Sequence, residues 1–457
     1  MDECQTIDHS SLKELKIKEW IVVFILVFAN AISLMVFSCI TPFLIDVGNS
    51  KGVSLTMLGI VFAIFNFCGF ITSPFAGRMI SIFGVRSIYT LGMILLSIGT
   101  LLFSGTNLTT SGTWFFISTL TLRIIQSIGN TLMFTTTYAI AAQSFPKIMS
   151  ALLGLTETGA GVGYTIGPTL GGILYQYIGY PYPFLILGIT NSITTILAFY
   201  YIRTRTDYKN QESTSTTTTT AANTSTILLS ESTKQEKVDL TWLKVIKIKD
   251  IWCMIFTLII VGIVMSFHDS TLAIGCKQFN LSFGEVGLLF LCLGGSYAIF
   301  SPVWGHVLDK YHHINDYLFI AGYILQVIAY TCMGPASFLS FKPTVMTFGI
   351  CLATIGFAAS MMFVPSFKKS MDIILKEHLF AESLQTLSVI SGLYASSYCL
   401  GAFLGPLLGS ALVERKGHKE ALSIVAFFCF CSAIIFSITY LIPRFKKKYQ
   451  KKIRTLK

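Results

Sequence analysis

Gly163-Tyr164-Thr165-Ile166-Gly167-Pro168-Thr169-Leu170-Gly171-Gly172 sits inside a long apolar stretch, and its frame returns 238 residues later as Gly401, Gly405-Pro406 and Gly409. A second pattern behaves the same way. Ser73-Pro74-Phe75-Ala76-Gly77 returns as Ser301-Pro302-Val303-Trp304-Gly305 at an offset of 228, where Gly59 and Phe62 are answered by Gly287 and Phe290. Glycine and proline are frequent in membrane helices, so one such match can be chance. Two ordered matches at nearly one offset argue for a duplicated unit. Within the first stretch Gly159, Gly163, Gly167 and Gly171 recur every fourth residue. One helical face is thus bare and open to close approach by another helix, and Pro168 favours a bend.

Around this repeat the chain reads as a membrane protein. Of its 457 residues 53% are hydrophobic and only 12% charged, too few charges for a soluble surface of that size. Apolar stretches fall at 20–44, 55–80, 85–104, 113–142, 149–177, 182–202, 250–275, 283–308, 315–334, 343–371, 383–413 and 418–442. Each can cross a hydrocarbon core of about 30 Å. The fold class is therefore an all-α membrane protein, with twelve transmembrane helices in two pseudo-symmetric six-helix bundles. The expected divisions are a tail at 1–19, a bundle at 20–202, a linker at 203–249, a second bundle at 250–442 and a basic tail at 443–457. The polar first tail leads into an apolar run too long for a signal peptide, so that run is expected to stay as the first membrane helix. The tract from Ser213 to Thr220 is of low complexity and cannot build a core, which makes the linker disordered. It offers phosphorylation sites, although such tracts also occur in inert linkers.

The net charge of +11 does not point to nucleic acid, because its distribution follows the membrane. With the N-terminus in the cytosol, 26 of the 33 Lys and Arg fall on the cytosolic side and 6 on the other, while Arg123 lies inside a helix. Such skew is the positive-inside rule and sets both termini in the cytosol. The run Arg444, Lys446, Lys447 and Lys448 suits anionic lipid headgroups. The eleven cysteines, mostly in apolar spans and without ligand-like spacing, read as packing residues. Asn107-Leu108-Thr109 is a glycosylation sequon in a non-cytosolic loop. Asn280-Leu281-Ser282 lies close to a membrane end, and Asn223-Thr224-Ser225 falls in the cytosolic linker.

Ionisable residues within a span are costly and default to function. Arg123 opens Arg123-Ile124-Ile125-Gln126-Ser127-Ile128-Gly129, about 15 Å into its helix and too deep to snorkel. Arg123, Gln126, Ser127 and Asn130 share one face, a polar stripe suited to a water-filled cavity. A charge pair that only locks helices together is the alternative. Glu157 stands about 12 Å from the cytosolic end of its helix. With Gly161, Tyr164 and Pro168 it occupies the face opposite the glycine stripe. If the stripe packs, Glu157 faces a cavity. Apolar surroundings favour a neutral acid and a cation favours a carboxylate, so an acid held between them can trade a proton for a cationic substrate. Permanent pairing of Glu157 with Arg123 is the competing reading. His268-Asp269, near the non-cytosolic end of the seventh span, can guide cations or sense pH, or can simply be a solvated helix end. Glu382 lies near the cytosolic start of the eleventh span. Tyr138 and Tyr164 can make cation–π contacts or pack in the core.

These patterns resemble the major facilitator superfamily over essentially the whole chain. The loop motif G-x-L-x-D-R-x-G-R-[RK] appears as Gly77-Arg78-Met79-Ile80-Ser81-Ile82-Phe83-Gly84-Val85-Arg86, with Ser81 at its acidic position. The second copy keeps Gly305, Asp309 and Lys310 but has His312 at the later glycine. The resemblance implies a cytosolic gate at these loops, degraded in the first copy. Arg123 to Gly129 follows R-x-x-Q-G-x-G. Gly163 to Gly172 fully matches G-x-x-x-G-P-x-x-G-G, which in that superfamily marks proton-coupled exporters and vesicular exchangers. Gly154-Leu155-Thr156-Glu157-Thr158 and the run Ser391-Gly392-Leu393 before Gly405-Pro406 are similar to the vesicular amine transporter family, and above all to its vesicular polyamine branch. Monoamine and acetylcholine members carry an acid in the first helix, where this chain has Asn30. They carry another in the eleventh, where it has Ala395, the repeat mate of Glu157. Their specificity is therefore not implied.

The resemblance implies a proton-coupled antiporter, not an enzyme, that loads organic cations such as spermine and spermidine into acidic vesicles by alternating access. Coupling would fall to Glu157, Arg123 and Gln126, and the substrate cavity to Asn30, Asn130, Tyr138, Tyr164 and Asp269. Conformational change would use Gly163, Gly167, Pro168, Gly171, Gly405 and Pro406, with Gly77, Arg78, Gly305, Asp309 and Lys310 at the gate. Protons, a small cation and the bilayer are the implied partners of a monomer that is driven by a proton gradient and needs no cofactor. A plasma-membrane drug or metabolite exporter and a non-transporting sensor of the same fold are the alternatives.

Overall fold

The computed structural model describes residues 17–145, 149–202, 248–311, 314–334, 344–374, 384–444, 446 and 450. The tail at 1–16, most of the linker with Asn223, and Glu382 lie outside the described residues. Among the described residues there is no strand, and the long helices fall on the apolar stretches: α1 (Ile17–Ser38), α2 (Leu55–Phe83), α3 (Val85–Phe103), α4 (Gly112–Ser144), α5 (Met149–Tyr177), α6 (Pro181–Tyr201), α7 (Lys249–Cys276), α8 (Phe283–Lys310), α9 (Asn315–Met333), α10 (Val345–Asp372), α11 (Leu384–Lys416) and α12 (His418–Phe436). Ten of these are long and apolar enough to cross a membrane on their own. The other two are α4 and α5, whose polar stripe, glycines and Glu157 lower their apolarity.

Local chemistry sets the helix ends. α1 stops at Ser38, short of the expected residue 44, because Pro42 has no N–H with which to continue it. Thr41 Oγ1 donates to the Ser38 carbonyl at 2.9 Å in the turn that follows, and a short helix spans Leu44–Ser50. α2 starts on Ser54, whose hydroxyl accepts from the Met57 N–H. α8 starts on a reciprocal capping box between Ser282 and Glu285. Gly84 alone separates α2 from α3, at a φ of +81° that suits a residue without Cβ. α12 runs on into a wider π turn over Ser437–Leu441.

Helix pairing repeats between the halves. α1 packs on α5 and α6, α4 on α2 and α3, and α3 on α6. Six helices later, α7 packs on α11 and α12, α10 on α8 and α9, and α9 on α12. The halves meet where α5 lies on α8 and α2 on α11, and these two contacts are repeat mates of each other.

Polar contacts seal this seam from the middle of the helices to the side remote from the chain ends. Tyr164 Oη donates to Asp269 Oδ1 at 2.9 Å. Thr169 Oγ1 donates to the Gly287 carbonyl at 2.9 Å, and the Gly284 N–H to Gln176 Oε1 at 3.3 Å. At the outer edge Lys277 Nζ meets Asp46 Oδ1 at 2.5 Å. There too Glu414 accepts from the Thr56 N–H at 2.7 Å and from its hydroxyl. Arg444, expected at lipid headgroups, is paired within the protein. It meets Asp250 Oδ2 at 2.7 Å and ties the end of α12 to the start of α7.

Candidate functional site

The bare face of α5 lies against α1. A Cβ added at Gly163 would stand 1.9 Å from the Ala31 carbonyl oxygen, one at Gly171 2.1 Å from that of Cys39, and one at Gly167 2.0 Å from Ser38 Oγ. The second half repeats the crossing, since a Cβ at Gly401 of α11 would stand 2.2 Å from the Ile259 carbonyl oxygen of α7 and one at Gly405 2.4 Å from Ser266 Oγ. Pro168 and Pro406 lie inside these two crossing helices. Gly161, off the stripe, has open space around it. This packing fixes the rotation of α5 and turns Glu157, Gly161 and Tyr164 away from α1, toward the seam.

Glu157 is accordingly exposed, on the side that carries the chain ends. Tyr138 of α4 donates to its carboxylate. From the other half, Tyr297 of α8 and Tyr394 of α11 lie within electrostatic reach of that carboxylate. Tyr394 is held by donating to the Phe363 carbonyl at 2.8 Å, with its ring edge-on to Phe363 and Phe367. Ala395, next to it, is exposed. The repeat mate of Glu157 therefore brings no carboxylate to the seam. An acid among tyrosines is chemically suited to an ammonium group, which takes the carboxylate for its charge and the ring faces for cation–π contact.

Deeper on the same face of α5, Tyr164 meets Asp269. Asp269 is 2% exposed, and its Oδ2 has no hydrogen-bond partner. It is not a solvated helix end, because the opposite half covers it through Tyr164. Its neighbour His268 turns elsewhere, with Nε2 3.0 Å from Tyr330 Oη and the two rings stacked inside the second bundle.

Arg123 is engaged elsewhere than at Glu157. Its guanidinium donates to the Phe37 carbonyl at 2.8 Å and to Gln126 Oε1 at 3.1 Å. The rings of Phe37, Phe65 and Phe103 surround it at 5.5 to 5.7 Å. Tyr138, the partner of Glu157, stands fifteen residues further along α4, about 22 Å of helical rise away. Gln126 Nε2 reaches Thr100 Oγ1 at 3.4 Å, Ser127 Oγ donates to the Phe65 carbonyl at 2.5 Å, and Ser33 donates to Asn130 Oδ1. The polar stripe thus sews α4 to α1, α2 and α3. That separates Arg123 and Gln126 from Glu157, with which they were expected to group, while Asn130 is half-buried. Asn30 is likewise fully buried, its amide donating to the Leu26 carbonyl of its own helix at 2.7 Å.

A family model described as Major Facilitator Superfamily matches residues 26–379 and 277–456. The chain belongs to the major facilitator superfamily. It is 28% identical over 433 residues to human MFS-type transporter SLC18B1, covering 94% of this chain and 89% of that relative. This is the group to which the motif resemblance pointed. It is also 22% identical over 425 residues to the Multi-drug resistance efflux pump PmrA homolog of Lactococcus lactis, covering 91% and 93%. Among solved structures, a bacterial homolog of the human lysosomal transporter Spinster, inward-facing and unoccupied, matches with a TM-score of 0.68 at 14% identity over 93% of this chain and 97% of that one. That is a likeness of fold. This facilitator is a multi-pass membrane transporter and not an enzyme.

Of its superfamily loop motifs, the side chains of Gly77, Arg78, Asp309 and Lys310 lie outside the described residues, while Gly305 has open space around it. Arg86 is placed: it donates to the Phe199 carbonyl at 2.6 Å and lies over that ring at 4.5 Å, fastening α3 to the end of α6. Gly129, which closes the arginine motif, crosses Gly92 of α3. A Cβ on either would stand 2.6 to 2.7 Å from the other's carbonyl oxygen. Asn107 is exposed on the side remote from the chain ends. Tyr297 and Tyr394 were not among the expected cavity residues. The available signal was the position of Tyr394 beside Ala395, the repeat mate of Glu157.

Proposed function

We propose that this facilitator is a proton-coupled antiporter that moves organic cations, above all polyamines such as spermidine and spermine, into acidic vesicles. Glu157 carries the reading: an exposed carboxylate on the seam between the halves, with a donor in Tyr138 and facing tyrosines. With both chain ends in the cytosol, the open side is cytosolic and a cation reaches Glu157 from there. When the seam closes on that side and opens on the other, lumenal protons compete for the carboxylate and release the cation. The glycine-lined crossings of α5 on α1 and of α11 on α7 lie inside each half and let these seam helices shift against their neighbours during the exchange. Each proton crossing one pH unit supplies about 1.4 kcal/mol, enough for about tenfold accumulation of an uncharged solute. A polycation requires compensating charge movement as well.

The test is uptake of labelled spermidine, serotonin and acetylcholine into proteoliposomes with and without an acid interior. Gradient-driven spermidine uptake is expected, and Glu157→Gln should abolish it. Driven uptake that survives this substitution refutes the role of Glu157. The likeness to the Lactococcus efflux pump homolog supports a second reading, export across the plasma membrane by the same site. Imaging a tagged protein against vesicle and surface markers separates the two.

A further inference from the structure

We infer that Glu157 and Asp269 form the two ends of one slot that measures the distance between ammonium groups, favouring linear amines whose charges stand about 10 Å apart. The inference rests on the organic-cation reading above and specifies what the site would select.

Glu157 and Tyr164 are seven residues apart, nearly two full turns, so they share a face and differ by about 10 Å in height along α5. Tyr164 Oη ends on Asp269 Oδ1 at 2.9 Å, which sets the second carboxylate at the level Tyr164 reaches. Between the two acids, Gly161 leaves the wall of α5 bare, with open space where a side chain would be. On the other half, α8 and α11 carry tyrosines whose rings pack against Phe363. Tyr297 and Tyr394 lie within reach of the Glu157 charge, and Tyr398, one turn beyond Tyr394, within reach of Asp269. Aromatic faces accept both methylene chains and ammonium groups. The slot so inferred has an acid at each end and a bare stretch of α5 between them.

Asp269 Oδ2 supplies an independent observation. It is buried and has no hydrogen-bond partner, although buried acceptors are ordinarily satisfied. Arg123 lies within electrostatic range of Asp269 but does not hydrogen-bond Oδ2. Its guanidinium donates to the Phe37 carbonyl and Gln126, at 2.8 and 3.1 Å. The Phe37 ring also stacks on Tyr164 at 6.2 Å and takes Arg123 at 5.5 Å, so an aromatic layer is shared between them. An ammonium arriving along the slot can satisfy Oδ2 without displacing Tyr164 from Oδ1.

Extended saturated chains advance about 1.25 Å per bond, given standard bond lengths and near-tetrahedral angles. Putrescine therefore spans about 6 Å between nitrogens and can reach one acid only. Spermidine end to end, 1,8-diaminooctane, and spermine from one end to its third nitrogen all span about 11 Å and can reach both.

Calorimetric titration of the purified full-length protein at fixed pH and salt tests this with four probes: 8-amino-1-octanol, putrescine, 1,8-diaminooctane and spermidine. We expect the two long amines to bind at least about tenfold tighter than the amino alcohol and putrescine. Asp269→Asn should collapse that ratio. Equal affinities across the four probes in the wild-type protein, or an unchanged ratio in a folded Asp269→Asn protein, overturn the slot but leave the antiporter reading standing. Failure of every amine to bind overturns both. The wild-type series decides the matter even where the variant does not fold.

Discussion

Gly163→Ala is the sharpest test of the packing that orients the site. The added methyl carbon would lie 1.9 Å from the Ala31 carbonyl oxygen and 2.7 Å from its carbon. Carbon and oxygen in favourable contact stand about 3.3 Å apart, so α1 and α5 must separate by more than 1 Å or the backbone must twist. The obstacle is main chain, and no side-chain rotation relieves it. Overpacking of this kind costs about 1–3 kcal/mol, a factor of about 5 to 150 in the folding equilibrium. Gly161→Ala in the same helix is the matched control, because nothing lies within 4 Å of its added carbon. Thermal unfolding of the two variants in detergent, followed by intrinsic fluorescence, should show Gly163→Ala melting several degrees below wild type and Gly161→Ala near it. Gly401→Ala, whose carbon would stand 2.2 Å from the Ile259 carbonyl oxygen, should behave as Gly163→Ala does. Equal melting of Gly163→Ala and Gly161→Ala would refute the reasoning, since the α1–α5 contact would then not be the surface that fixes the direction of Glu157.

Arg123→Lys should lower thermal stability, because a lysine lacks the planar fork that serves the Phe37 carbonyl and Gln126 together. The loss of one charge-assisted bond corresponds to about 1.5–3 kcal/mol, and wild-type melting would argue against the arrangement. Lys277→Ala combined with Glu414→Ala removes the outermost ties between the halves. Exposed pairs are each worth about 0–1 kcal/mol, so the double variant should shift the population toward a remote-side opening by a few-fold, read as longer spin-label distances between α2 and α11. An unchanged distance distribution would count against a latch. Ala395→Glu, introduced into Glu157→Gln, should return part of the gradient-driven uptake, because it restores a carboxylate at the mirrored position of the seam. No recovery in a well-expressed double variant would show that the two positions do not open on one space.

The spans and the duplication were legible because both are properties of the chain taken along its length. A helix imposes 3.6 residues per turn wherever it lies, so the glycines at 159, 163, 167 and 171 had to form one face and Glu157 another. What covers a face is a tertiary fact, and there the sequence misled. Arg123, Gln126, Ser127 and Asn130 did form a stripe, yet each of them hydrogen-bonds to α1, α2 or α3. Asp269 stands seven residues before the end of α7, which reads as near water until Tyr164 arrives from the other half. Tyr394 could not be singled out among 19 tyrosines and 37 phenylalanines, because aromatic residues are common on lipid-facing and inner surfaces alike.

The asymmetry of the two halves follows from the same comparison. Gly163 meets Ala31 and Gly401 meets Ile259, so α1 and α7 correspond at an offset of 228. By that offset the mate of Asp269 is Thr41, while the mate of Glu157 on α11 is Ala395. Each half keeps one acid, on helices that are not equivalent, and both acids point into the same seam. Glu157 rides on α5 in the first half and Asp269 on α7 in the second, joined across the seam by Tyr164. Any rocking of one half against the other must strain or break that hydrogen bond and change the spacing of the two carboxylates. A dication that bridged them, as proposed above, would then be held well in one state and poorly in the other. Differential affinity of that kind is what lets a ligand shift a conformational equilibrium, so a duplicated scaffold with unequal acids can tie substrate release to the movement of its halves.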